Sequence, residues 1–247
     1  MRMGGARVNT ETAGEKVYRR LRADIIFGRH APSQRLRLEG LKESYGISIS
    51  TLRELLNRLT SEGLIVAESA RGFEVAPVSA DNFRELANLR LLLECHALQQ
   101  SFAYGDMEWE GRVVAAHHKL STMEKRTLAG DRRGLEVLKL YDSEFHQALL
   151  SACGSRVLLE SHAAVFDKYV RYLMIAVVFR EAASREHQKL LECALARDAK
   201  SAQAILTTHI MECVSYALSN GPLALPGAQY RGGVKRRNPS DAAAVSA

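Results

Sequence analysis

The chain has 247 residues, long enough to bury a substantial core and to divide into two domains. Hydrophobic residues make up 47% and charged residues 25%, an ordinary globular balance, and no apolar run approaches the roughly 20 residues that cross a bilayer. These features exclude a membrane-spanning class, and the start, MRMGGARVNTETAGEK, lacks the hydrophobic segment of a secretory signal, so a cytoplasmic protein is expected.

The net charge of +6 is uneven. Residues 1–78 carry 13 Lys/Arg against 9 Asp/Glu, residues 79–220 carry 17 against 18, and residues 221–247 carry 4 against 1. The surplus lies at the two ends, where an anionic polymer would be met. The four cysteines, Cys95, Cys153, Cys193 and Cys213, are widely spaced in apolar helical contexts and form no CxxC pair, which predicts free thiols in a reducing compartment.

Residues 1–12 are polar and read as a flexible arm. A helix is predicted from about Gly14 to Phe27, with Val17, Leu21, Ile25 and Ile26 on one face and Gly28 ending it. Residues 38–63 read as two helices separated by the tight turn Tyr45-Gly46-Ile47-Ser48. Two short strands, LIVAE at 64–68 and FEVAP at 73–77, follow, joined by Ser69-Ala70-Arg71-Gly72. From Asp81 to about Leu218 the pattern is helical, with breaks near Tyr104-Gly105-Asp106, Ala129-Gly130-Asp131, Gly154-Ser155 and Arg197-Asp198. The last segment, 221–247, holds three of the five prolines and reads as a disordered basic tail. The predicted fold is therefore mostly α: a winged helix-turn-helix with a small two-stranded wing over 13–78, then an all-α helical bundle over 79–220.

In LRELLNRLTSEGLIV, Leu52, Leu55, Leu56 and Leu59 fall at i, i+3, i+4 and i+7, a stripe that faces a core. Ser48 is placed to cap this helix. The opposite face carries Ser50, Thr51, Arg53, Asn57 and Arg58, side chains suited to phosphates and base edges. Leu41 and Tyr45 mark the inner face of a shorter helix ahead of it, and Gly46 supplies a left-handed turn at little cost. That is helix-turn-helix spacing, with the second helix placed to enter a major groove and Arg71-Gly72 at the tip of a wing able to reach the neighbouring backbone.

These residues resemble a known family. Arg35-Leu36, Leu41, YGISISTLRELLNRLTSEGLI and ESARGFEV look like the winged helix-turn-helix of the GntR family of bacterial transcription factors. The resemblance implies that Ser48, Ser50, Thr51 and Arg53, with Arg71 and Gly72 at the wing, face double-stranded DNA; Arg37 is grouped with them. Ile49 stands where many members have arginine, and Thr51 replaces a frequent proline. The family's operator sequence is therefore not carried over, because an arginine–guanine contact is a main source of base preference.

Further on, YDSEFHQAL (141–149) sets a carboxylate and an imidazole four residues apart on a helix. Leu138, Tyr141, Phe145 and Leu149 fall in one stripe; Asp142 lies within it and His146 at its edge, while Glu144 and Gln147 point away. An unpaired ionised carboxylate buried there would cost several kcal/mol, so Asp142 must meet a cation, strong hydrogen-bond donors or a metal. His187 shares a face with Leu190, Leu191 and Ala194, and His209 one with Ile205, Leu206 and Cys213. One carboxylate and three imidazoles from three helices thus point inward, a donor set that borderline divalent ions prefer. An i, i+4 hydrogen-bonded pair with ordinary core histidines is the plainer reading of the same spacing. His162 also lies on an apolar face.

From Asp81 to Leu218 the chain is similar to the all-helical effector domain of the FadR subgroup, the FCD type. The resemblance implies a metal held by an Asp and a His four apart and by two later histidines. Asp142, His146, His187 and His209 match, the last two 22 residues apart, while His162 does not. Arg90 and Glu94, in NFRELANLRLLLECHALQQSFA, match the domain's start. The cofactor expected is a divalent ion, zinc first, with nickel, manganese or iron as alternatives. The resemblance further implies a small organic acid, carboxylic or dicarboxylic, as effector, with Arg90, Arg171 and Tyr172 as candidates to hold its other end. A homodimer on a palindromic operator follows, with repression relieved by the acid. Two alternatives are a metal-dependent hydrolase fused to a DNA-binding module and a regulator with a metal-free pocket.

Overall fold

The computed structural model describes residues 12–68, 72–176 and 179–223. Arg71, residues 1–11 of the expected arm and residues 224–247 of the expected tail lie outside the described residues. The chain divides into two compact units, the first ending at Pro77 and the second beginning at Val78.

In the first unit, α1 (Ala13–Ile26) is followed by β1 (Arg35–Leu36), α2 (Leu38–Tyr45), α3 (Ile49–Ser61), β2 (Ile65–Glu68) and β3 (Gly72–Val75). Leu21 and Ile25, one turn apart on α1, are fully buried, as are Leu52, Leu56 and Leu59 on α3. Each such leucine contributes about 1.5–3 kcal/mol through burial. Leu55, expected in the same stripe, is half-buried. Gly46 closes α2 at φ 67°, where a side chain would be strained, and its N–H donates to the Lys42 carbonyl. The Ser48 hydroxyl accepts from the Thr51 amide at 3.2 Å and starts α3.

The wing departs from expectation in one respect. It is a three-stranded antiparallel sheet in the order β1-β3-β2, because Arg35 pairs with Glu74 and Leu36 with Phe73. A two-residue strand has too short a period to be seen in sequence; it exists only because β3 offers it a free edge.

The second unit holds α4 (Ala80–Tyr104), α5 (Met107–Leu128), α6 (Leu135–Leu150), α7 (Arg156–Ile175), α8 (Glu181–Leu195) and α9 (Ala199–Asn220). The breaks fall where Gly or Asp was expected to end a helix, with Asp106, Ser155 and Asp198 capping α5, α7 and α9. The end of α7 before α8 carries no such signal and was not anticipated. α4 packs against α6, α7 and α9, and α5 against α6 and α8. None of the described helices is long and apolar enough to cross a membrane. Among the described residues all four cysteines are free, Cys153 and Cys213 buried and Cys95 and Cys193 half-buried.

Candidate metal centre and DNA-facing surface

Three helices of the second unit bring Asp142, His146, His187 and His209 together. All four are buried, and one donor atom from each lies within 4.8 Å of the others. Asp142 Oδ1 stands 3.5 Å from His146 Nε2 and 3.5 Å from His187 Nε2, and the His187 and His209 rings are 4.7 Å apart.

Each imidazole is held from behind by a glutamate on a different helix. His146 Nδ1 meets Glu94 Oε2 at 3.0 Å, His187 Nδ1 meets Glu124 Oε1 at 2.7 Å, and His209 Nδ1 meets Glu186 Oε2 at 2.8 Å. A carboxylate on Nδ1 draws the ring proton to that side and turns the Nε2 lone pair toward the cluster, the arrangement that supports metal-ligating histidines. Burial pushes His209 down to about 3, Glu186 opposing, and burial also lowers His146. Both rings are therefore neutral, as coordination requires. Burial opposes ionisation of Asp142, yet Lys139, ahead of the three imidazoles, holds its carboxyl below the usual range.

The fit to a cation rests on what is left over. Asp142 Oδ1 and His187 Nε2 are buried and have no hydrogen-bond partner, although they face one another. Two acceptors in such contact repel unless a positive charge sits between them. The cluster is therefore able to hold a metal ion.

The neutral histidines also set an acid limit. Unfolded histidine gains a proton near pH 6.5 and His209 does so in the fold only near 3, so stability is full above pH 6.5 and falls as pH drops through that window. Urea midpoints of metal-free protein, followed by the fluorescence of the single tryptophan, Trp109 on α5, are expected to drop between pH 7.5 and 5. His209, neutral throughout that range, contributes about 2 kcal/mol to that loss.

Beside the cluster is a small cavity of about 20 Å³ whose wall includes Arg90, Glu124, Lys139, Tyr169, Arg180 and Cys213 together with Asp142, His187 and His209. Of the three residues expected to hold an effector, only Arg90 lines it. Its guanidinium is committed to Glu94 at 2.5 Å, and its Nη2 lies 3.2 Å from His146 Nε2, the ring nitrogen left to accept. Tyr172 instead stacks on Phe83 at 4.6 Å, donates to Asn82 Oδ1 at 2.8 Å and accepts from the Ser79 amide, pinning the start of α4. Arg171 is buried and likewise does not line the cavity. The reason is helical phase: Tyr169, three residues earlier on α7, faces the cavity. Lys139 and Arg180 were missed, since a lysine among leucines and an arginine ahead of a helix carry no sequence signal. His162 is not a member of the cluster, but its Nε2 meets Glu94 Oε1 at 2.7 Å.

In the first unit, Arg37, Ser50 and Arg53 are exposed and Thr51 is half-buried at the start of α3. Ser48 is exposed too, but its hydroxyl is engaged in capping and lies 2.8 Å from Ser50 Oγ and 3.0 Å from Thr51 Oγ1. Gly72 opens β3 at φ 82°. Arg58 is drawn toward α1, ion-paired to Glu15 at 2.9 Å and stacked on Tyr18. That leaves Arg53 as the extended cation on the exposed face of α3.

Comparison with known proteins supplies the context. Residues 13–75 match the family described as Bacterial regulatory proteins, gntR family, and residues 85–212 match the FCD domain. The HTH-type transcriptional regulator BphR of Paraburkholderia xenovorans (strain LB400) is 37% identical over 218 residues, 87% of this chain and 89% of that protein. The HTH-type transcriptional repressor GlaR of Escherichia coli (strain K12) is 31% identical over 201 residues, 78% of this chain and 90% of that protein. The solved structure of E. coli McbR/YncC superposes with a TM-score of 0.72 at 19% identity, covering 85% of this chain and 99% of that one, which speaks to the fold alone.

The hydrolase alternative does not survive this comparison. Glu94 and Glu186 are each held by an imidazole and a guanidinium, and Glu144 pairs in the open with Lys119 at 2.6 Å. The chain belongs to the GntR family, FadR-like with an FCD domain: it is a DNA-binding transcriptional regulator and not an enzyme.

Proposed function

We propose that this regulator is a homodimeric repressor that grips a palindromic operator through residues 13–78 and releases it when a small organic acid binds in residues 79–220, beside a divalent cation held by Asp142, His146, His187 and His209. One observation carries the reading: Asp142 Oδ1 and His187 Nε2, both buried acceptors, face each other at 3.5 Å without a donor. Three imidazoles and a carboxylate suit zinc first, and nickel, manganese or iron in a more open coordination. When bound, such an ion supplies a fixed positive charge on which a carboxylate docks. The three glutamates keep the rings aimed. The repressor sign is supported by GlaR, whose name describes it as one.

An acid alters operator affinity only by binding two arrangements of the dimer unequally. On the DNA side, Arg53 is the residue placed to reach a base edge or phosphate, with Ser50 and Thr51 beside it. The test is fluorescence anisotropy on an operator selected from random duplexes, with elemental analysis of the same protein, with and without chelator and a panel of small acids. Expected are about one bound ion per chain, an acid-dependent loss of DNA affinity, and loss of that response after chelation. Protein without metal whose DNA binding still responds to an acid would contradict the proposal. In the same assay Arg53→Ala is expected to weaken binding by about 1–3 kcal/mol, with the acid response of the second unit intact.

A further inference from the structure

We propose that Lys139 is the internal counter-ion of the four-donor cluster and the anchor for the effector's anionic group, an inference that rests on the metal-and-acid reading above. Lys139 lies one turn before Asp142 on α6, its side chain only 11% exposed, with Nζ 3.3 Å from Asp142 Oδ2. The other oxygen, Oδ1, faces the Nε2 atoms of His146 and His187. Asp142 therefore offers one oxygen to the cluster and one to the lysine.

The other cations of the cavity wall are already committed. Arg90 is held by Glu94 at 2.5 Å; Arg180 is held by Glu186 at 2.9 Å and by Glu212, with its Nη1 also 3.4 Å from Cys213 Sγ. Among the described residues, the ion pair of Lys139 is with Asp142 alone, the one carboxylate of the site that also belongs to the donor set. In metal-free protein Lys139 compensates that buried charge. Once Asp142 engages a divalent cation, its negative charge is shared between two positive neighbours, and Lys139 is both repelled and less needed. A lysine has a flexible stem and rotatable donors, so Nζ turns from Oδ2 to an incoming carboxylate more readily than the planar fork of an arginine does, the wall opening beyond its about 20 Å³ to admit the acid. Lys139 thus competes with the metal and cooperates with the acid.

Lys139→Met keeps the stem and removes the ammonium. The affinity for Zn²⁺ alone and for Ni²⁺ alone, measured against a chromophoric chelator without any acid, is expected to rise by about tenfold, since a competing charge is gone. A residue with a merely structural role would lower metal affinity when replaced. With zinc bound, the concentrations of acetate, succinate or citrate needed to raise the melting temperature are expected to increase at least about tenfold for whichever of these acids stabilises the wild type. Lys139→Arg, which keeps the charge, is expected to hold the wild-type metal affinity. Unchanged or weaker metal binding by Lys139→Met, or an unaltered acid dependence, overturns the inference while leaving the metal reading intact. Wild-type protein that binds neither ion removes that reading and this inference with it. Should Lys139→Met fail to fold, Lys139→Gln, which still donates to Asp142 but carries no charge, takes the same measurements.

Discussion

Replacing His187 and His209 together by asparagine is expected to remove divalent-metal binding, lowering affinity by more than about a thousandfold, while the helical unit stays folded. The choice of residue follows from the geometry. Glu124 and Glu186 each receive a ring Nδ1 in the wild type. An asparagine amide nitrogen occupies nearly the Nδ1 position and still donates, so neither buried glutamate loses its partner, whereas the Nε2 donor is deleted. Loss of an outer partner alone costs 10–100-fold in metal affinity, and two direct donors cost more. Calorimetric titration with zinc measures the loss directly. Metal at a thousand times its dissociation constant stabilises the wild type by about 4 kcal/mol, and no such shift is expected in the variant. Equal metal affinity in the two proteins would remove the cluster as the binding site.

Arg90→Met is expected to destabilise the second unit by about 3–5 kcal/mol. Arg90 and Glu94 are 2% and 1% exposed at the side chain, one turn apart on α4. Burial opposes the charge on Glu94, and Arg90, ahead of His146 and His162, keeps it ionised well below the usual range. Without the guanidinium, a buried carboxylate remains that two imidazoles compensate only in part. The guanidinium also stacks over Phe166 at 4.2 Å and Tyr169 at 4.6 Å, so packing is lost as well. The double variant Arg90→Met/Glu94→Gln removes the stranded charge and is expected to recover more than half of the loss. Urea unfolding followed at Trp109 measures both proteins, because the single tryptophan lies in the second unit. A loss below about 1 kcal/mol in the single variant would show that the pair is not a buried charge balance.

Local patterns carried much of this protein openly in its sequence. The leucine period on α3, the left-handed Gly46 and the Ser48 cap are interactions within a few residues, so the helix-turn-helix is legible from one short stretch. The inward phase of Asp142, His146, His187 and His209 could also be read one helix at a time, because a helix of 3.6 residues per turn assigns each position a face. What lies between helices could not. The pairing of β1 with β3, the three glutamates behind the three rings, the use of His162 on Glu94, and the exchange of Tyr172 for Tyr169 at the cavity wall join residues 23–93 positions apart or turn on a rotation of one helix against another. Lys139 shows the division most plainly. In sequence it is one more charge beside an aspartate, and only the packing of α6 within the bundle makes it a cation facing a carboxylate with almost no water to screen them.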